Sequence, residues 1–245
     1  MQMNDKDFIS ALTKTFKKNG LSSLLNTEKT EKFLALTKRM LEENEKYNLT
    51  AITEPGKIIL NHYADSAILS KMLPKGSVII DVGCGAGFPT LPLAIVRPDV
   101  EIFAIDSTAK RINYVEESAR LLGLTNVRAM TIRAEDGARM PEYREKFDFA
   151  TARAVAELRI LCELCLPYVK VGGKMLAMKG KNAEFELSDA RKAIPQLGGK
   201  NARVESITLS GDSEELSHPL IIIEKASKTP EKFPRPYAQI SKKPL

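Results

Sequence analysis

Residues Val78-Ile79-Ile80-Asp81-Val82-Gly83-Cys84-Gly85-Ala86-Gly87-Phe88-Pro89 carry an apolar strand into three alternating glycines and then straight into a helical pattern. A strand, a tight loop and a helix in that order point to an α/β fold, in which open sheets bind ligands beyond the carboxyl ends of their strands. Glycine at alternate positions lets the backbone turn with φ > 0 and lets a ligand approach main-chain N–H groups with no Cβ in the way. The spacing narrows the ligand. A dinucleotide fingerprint needs glycine at position 88, where the chain has Phe88. The Walker pattern is also missing, so no lysine is placed for β- and γ-phosphates.

The rest of the chain fits this loop into a larger plan. From Ser77 onward, short β-rich runs alternate with helical segments, the signature of βαβ units on a mostly parallel sheet. Strands are predicted at 78–82, 101–106, 127–132, 147–151, 174–179, 204–209 and 220–224, and crossover helices at 90–96, 109–122, 157–170 and 183–194. Only the last two strands are joined by a loop alone, 210–219, so they pair antiparallel. Residues 1–73 read as three helices, at 5–18, from Thr27 as N-cap, and from Pro55 to Leu73. Three segments follow: a helical extension over 1–73, an α/β domain over 74–227 and a basic tail over 228–245. That tail, with four prolines, is expected to be extended and mobile unless something docks it.

Composition adds a few limits. With 245 residues, 43% of them hydrophobic, the chain can fill one sizeable α/β core. Met1 to Asp7 lacks the basic and apolar regions of a secretory signal, and no apolar run approaches membrane-spanning length. Three cysteines form no disulfide framework and suit a reducing compartment, so a cytoplasmic protein is expected. A net charge of +6 is mild evidence for a polyanionic partner.

Individual residues then take candidate roles. The glycine loop, with Gly83, Gly85, Gly87 and Phe88, is similar to motif I of the S-adenosylmethionine methyltransferases, whose ligand carries no pyrophosphate. Asp106 closes the second strand, where a carboxylate accepts both ribose hydroxyls of an adenosyl group; its structural alternative is a helix N-cap. Ala134 and Glu135 follow the third strand, beside the adenine in this fold. Arg153 follows the fourth, where methyl-acceptor chemistry takes place. No Asx-Pro-Pro-aromatic turn stands there to receive an exocyclic amine, and no Pro-Cys dipeptide supplies a nucleophile for pyrimidine C5. A ring nitrogen with a free lone pair, such as guanine N7, needs neither device, and no catalytic acid or base is assigned. Cys162 and Cys165 read as a packed helix face, and His62 and His218 as lone histidines without a metal or triad partner. Lys179 and Lys181 follow the fifth strand as candidate phosphate contacts.

Taken together, Tyr47-Asn48-Leu49-Thr50-Ala51-Ile52, His62-Tyr63-Ala64-Asp65-Ser66, Asp81 to Pro89, Arg133-Ala134-Glu135, Ala152-Arg153-Ala154 and the ending Pro234-Arg235 to Lys242-Lys243-Pro244-Leu245 resemble the bacterial 16S rRNA guanine-N7 methyltransferases of the RsmG/GidB family. The resemblance spans nearly the whole chain. It implies a Rossmann-like class I methyltransferase fold with a seven-stranded, mostly parallel sheet and a reversed last strand. It implies S-adenosylmethionine as donor and 16S rRNA or the small ribosomal subunit as partner; the residues themselves call for no membrane or metal, and a monomer is expected. By motif match, cofactor contacts fall on Gly83, Phe88, the Ala134-Glu135 backbone and Arg153; Gly85, Gly87 and Asp106 join them from the reading of the loop and strand end, and RNA contacts are expected on Lys179, Lys181, Arg235, Lys242 and Lys243. Arg153 suits either a methionine carboxylate or an RNA phosphate. One departure is Pro236-Tyr237-Ala238, where many members carry a Gly-x-Pro step. Two alternatives stand beside this assignment: a ribosome-assembly protein with a relict pocket, and a methyltransferase acting on something other than RNA.

Overall fold

The computed structural model describes residues 4–212 and 214–245; Met1 to Met3, part of the predicted non-secretory start, lie outside them. Its centre is a seven-stranded sheet in the order β3-β2-β1-β4-β5-β7-β6. The strands are β1 (Val78–Val82), β2 (Glu101–Asp106), β3 (Val127–Thr131), β4 (Phe147–Arg153), β5 (Val169–Met178), β6 (Gly199–Ser210) and β7 (Glu215–Lys225). β1 to β5 are parallel, whereas β7 runs antiparallel to both β5 and β6. Connections lead outward from β1 through β2 to β3, then return to β4 on the other side of β1. The order therefore reverses between β1 and β4, and a crevice opens beyond their carboxyl ends.

Side chains alternate across the sheet and feed two cores. Ile79, Ile102 and Leu176 join one core with Phe16, Phe33 and Tyr63 of the N-terminal helices. Ile80, Ile105 and Ala177 face the other, with Leu161, Cys162, Tyr168 and, from the tail, Phe233 and Ile240. Helix Asp5–Lys18 is capped by Asn4, whose side chain accepts from the Asp7 amide at 2.9 Å, and it buries Phe8, Leu12 and Phe16. Helix Thr27–Tyr47 is capped by Asn26 rather than Thr27; the Asn26 side chain accepts from the Lys29 amide at 2.9 Å, leaving Thr27 in the first turn.

Several predicted boundaries move, each for a physical reason. The stretch from Pro55 to Met72 is helical, but it widens into a π-helix over Ile59–Ala64 and tightens into a 3-10 helix over Ile68–Met72. Residues 58–60 and 62–67 are all buried, so packing on every side rather than a 3.6-residue stripe decides its path. The helix expected over 157–170 ends at Cys165, because Pro167 sits in a 3-10 turn and Val169 already pairs with Phe147 as the start of β5. The 183–194 segment breaks into Ala183–Asp189, a 3-10 turn and Ala193–Gln196. β6 and β7 are longer than predicted and pair out to Ser210 with Glu215, shrinking the loop between them. Much of β6 and the outer part of β7 is only half-buried or exposed, so these ends lack the continuous apolar run that marks the inner strands.

The tail is docked. Arg144 donates to the carbonyls of Thr229 and Phe233, both at 2.9 Å. Arg235 grips the fully buried carboxylate of Glu163 through its amide at 2.8 Å, Nε at 2.9 Å and Nη2 at 2.6 Å. A short helix, Tyr237–Lys242, follows and buries Ile240. The prolines set the route, and two inward-facing arginines hold it.

Candidate active site

The glycine loop is tied to the end of β2. The amides of Gly83 and Cys84 donate to the Ile105 carbonyl at 2.8 and 3.0 Å, which folds the loop over the sheet edge. Gly83 has φ +73°, and a Cβ there would lie 2.7 Å from Val155 Cγ2. Gly87, at φ +82°, packs as tightly against Leu91, 2.7 Å from Cδ1. Both glycines are required twice over, by dihedral and by space. Below the loop, the Thr90 hydroxyl donates to Asp81 Oδ2 at 2.6 Å, and burial pushes the Asp81 carboxyl up to about 6.

A cavity of about 300 Å³ opens against this loop, bounded by Gly83, Asp106, Arg111, Ala134, Glu135 and Tyr237 among others. Asp106 is nearly buried. Its Oδ1 accepts from the Thr108 amide at 2.8 Å and its Oδ2 from the Gly85 amide at 3.1 Å, with Arg111 Nη1 at 3.5 Å. Thr108, not Asp106, holds the N-cap position of helix Ala109–Leu121, and its side chain makes no capping bond. The Asp106 carboxylate thus braces the glycine loop through Oδ2 and the turn after β2 through Oδ1, and Oδ1 keeps a lone pair for a ligand. Ala134 and Glu135 stand opposite, and the Tyr168 hydroxyl donates to the Ala134 carbonyl at 2.7 Å.

Gly83, Asp106, Ala134 and Glu135 therefore share one wall system. Gly85, Gly87, Phe88 and Arg153 lie outside the residues that bound it. Phe88 is buried, with its ring stacked on His62 at 4.2 Å and the Arg153 guanidinium 5.3 Å above its centroid. Arg111 and Tyr237 are members to which the sequence gave no role; Tyr237 stands in the ending motif, and Arg111 carries no signal beyond its place on the helix after Asp106.

A second cavity, about 340 Å³, adjoins the first, and Ala154 at φ +56° borders both. It is built from side chains. Arg153 donates through Nη1 to the Asn61 carbonyl at 2.9 Å and to Asp65 Oδ2 at 3.1 Å, and its Nη2 lies 3.3 Å from His62 Nδ1. His218 Nδ1 stands 2.9 Å from the other Asp65 oxygen. Burial, and secondarily the Arg153 charge, lowers His62 to about 4, so its ring is neutral at ordinary pH. Both histidines, partnerless in the sequence, meet around Asp65 here. The π-helix supplies His62, the α-helical turn directly after it supplies Asp65, and antiparallel β7 supplies His218.

The basic candidates divide. Lys179 is engaged, donating to the Ala156 carbonyl at 2.7 Å and pairing with Glu186 at 2.6 Å. Arg235 is the tail's anchor on Glu163, so its guanidinium faces inward rather than toward a phosphate. Lys181, Lys242 and Lys243 are exposed. Cys84, Cys162 and Cys165 are buried, and burial pushes each thiol far above its usual range.

Residues 29–215 match the family model described as rRNA small subunit methyltransferase G. The chain belongs to this family. A ribosomal RNA small subunit methyltransferase G from Clostridium perfringens (strain 13 / Type A) is 47% identical, over 90% of this chain and 92% of that one. Its namesake from Lactobacillus delbrueckii subsp. bulgaricus (strain ATCC BAA-365 / Lb-18) is 40% identical over 99% of this chain and all of the other. Among solved structures, a SAM-dependent O-methyltransferase from Thermotoga maritima superposes with a TM-score of 0.53 at 17% identity, covering 78% of this chain and 72% of that one, which bears out the fold. Family membership makes the protein an S-adenosylmethionine-dependent methyltransferase.

Proposed function

We propose that this chain transfers the methyl group of S-adenosylmethionine to N7 of a guanine in 16S rRNA. The observation that carries this is the pair of adjoining cavities at the sheet's switch point, one walled by a glycine loop and a ribose-ready carboxylate, the other open to an acceptor. The first fits an adenosyl group. Gly83 leaves room for close approach, Asp106 Oδ1 keeps a lone pair for a ribose hydroxyl, and Ala134 and Glu135 flank the place for a purine. S-adenosylmethionine supplies an electrophilic methyl on a sulfonium, and N7 attacks it with a lone pair that carries no proton. The residues at hand match that economy: no cysteine has an accessible thiolate, and Arg153-Ala154-Val155-Ala156 offers no amine-binding turn. Rate then comes from alignment and from the electrostatics of the second cavity.

Arg153 stands on the acceptor side, braced by Asn61 and Asp65, as a positioning residue at the junction of the two cavities. Lys181, Lys242 and Lys243 are the exposed cations that suit phosphate contacts, with Lys179 and Arg235 shaping the surface beneath. We place the reaction in the cytoplasm, with a monomer acting on the small subunit or its RNA; the 1–73 extension and the 228–245 tail embrace the 74–227 domain. Among the described residues no helix is long and apolar enough to cross a membrane.

Mass spectrometry of rRNA from a deletion strain is the test. Loss of one N7-methylguanosine, restored by the wild-type chain, is expected. An undiminished modification removes the acceptor assignment. Labelled donor offered to rRNA, subunits and protein separates RNA methylation from the other two alternatives.

A further inference from the structure

We propose that the cavity around Asp65, Arg153 and His218 receives the acceptor base, and that His218, oriented by Asp65, accepts a hydrogen bond from guanine N1–H. This rests on the methyl transfer proposed above and assigns a specificity residue to it. The starting observation is an imbalance. His218 is seven-eighths buried, and its Nε2 has no hydrogen-bond partner, whereas buried polar atoms are normally satisfied. Its Nδ1 stands 2.9 Å from Asp65 Oδ1, and a carboxylate beside Nδ1 favours the tautomer that carries its proton there and a lone pair on Nε2. Nε2 is thus an acceptor held in place before any ligand arrives.

Topology explains why the ring sits here. β7 is antiparallel, so its early residues lie at the carboxyl ends of β4 and β5, where the crevice opens. The Lys179 amide donates to the Pro219 carbonyl at 3.0 Å, which places His218 beside the Lys179-Gly180 turn. Both His218 and Arg153 line the second cavity, whose volume of about 340 Å³ falls in the small-ligand range. Ala154 separates that space from the adenosyl side, so a base seated here lies next to the transferable methyl.

The chemistry asks for an acceptor at that edge. As the N7 lone pair forms the new nitrogen–carbon bond, the carbon–sulfur bond breaks and its electrons stay on sulfur, leaving a neutral thioether and a cationic purine. The positive charge on the purine makes N1–H more acidic, so a bond to Nε2 is stronger in the transition state than in the ground state. Nothing in the cavity opposes this. The Asp65 carboxylate offsets the Arg153 guanidinium, and Glu186 offsets Lys179.

The experiment is single-turnover methyl transfer by the full chain to rRNA carrying guanine or 2-aminopurine at the target nucleotide. 2-Aminopurine keeps N7 but has no N1–H. Wild type is expected to lose on the order of 30-fold on 2-aminopurine, and His218→Leu about the same on guanine, with no further loss when the two changes are combined. His218→Gln, which retains an acceptor oxygen, recovers part of the rate on guanine. Cofactor affinity stays unchanged in both variants. The proposal is overturned if His218→Leu matches wild type on guanine, or if the two penalties multiply. If His218→Leu does not fold, His218→Phe takes its place as a ring without an acceptor, and a folded phenylalanine variant with the wild-type rate on guanine overturns the proposal as well. Failure of wild type to methylate guanine at all strikes the proposed reaction instead, so the two failures are distinct.

Discussion

The two cavities that meet at Ala154 are made differently. The proposed adenosyl side is built on short contiguous segments, a glycine loop, the end of β2 and the Ala134–Gly137 turn, with Asp106 and Glu135 as its carboxylates. The acceptor side is side chains, gathered from residues 61–65, from Arg153 and from His218. A pocket built on contiguous segments is specified by short motifs and tolerates little substitution within them. A side-chain pocket is specified by topology, and its parts carry charge that responds to pH.

The sharpest way to break the contrast is Gly83→Val. A positive φ costs a branched residue about 1–2 kcal/mol, and the collision with Val155 adds about 1–3 kcal/mol. Cofactor affinity by calorimetry is expected to fall by on the order of 100-fold or more, with circular dichroism showing a folded protein. Next comes Glu163→Ala, which strips Arg235 of its buried partner and costs about 3 kcal/mol in urea denaturation. Because Tyr237 follows on the same tail and borders the adenosyl cavity, cofactor binding weakens too; an unchanged dissociation constant would show that the tail forms no functional wall.

Arg153→Ala separates the two sides. Turnover is expected to drop by roughly 100-fold while cofactor affinity moves less than about threefold, since the guanidinium lies outside the residues bounding the adenosyl cavity. A collapse of cofactor affinity would return Arg153 to the other side of Ala154. The smallest effect is in His62. Its folded value near 4 lies below that of an unfolded histidine, so the unfolded chain binds more protons between about 6.5 and 4, and stability falls as pH drops through that window. Denaturation midpoints should show a loss of about 1 kcal/mol from pH 6.5 to 5.5, absent in His62→Phe, which keeps a ring against Phe88.

The same contrast governs what the sequence reveals. Val78–Val82, Glu101–Asp106 and the glycine loop are local patterns of apolar runs and turn residues, and the structure has them where the pattern puts them. The reversed β7 follows from a missing crossover helix. The cluster of His62, Asp65, Arg153 and His218 has no such signature. Its members are spread over some 150 residues, and they converge only because a π-helix and an antiparallel strand point at one sheet edge. The pairing of Arg235 has no local signature for a related reason: its partner Glu163 lies 72 residues earlier and reads as an ordinary helix residue.

Crystals grown with S-adenosylhomocysteine test the two-cavity account most directly. The account predicts ribose hydroxyls on Asp106, the purine between the glycine loop and Glu135, and the sulfur directed at Ala154, facing the space in front of His218. A sulfur directed away from Ala154, or a ligand bound without touching Asp106, would contradict it.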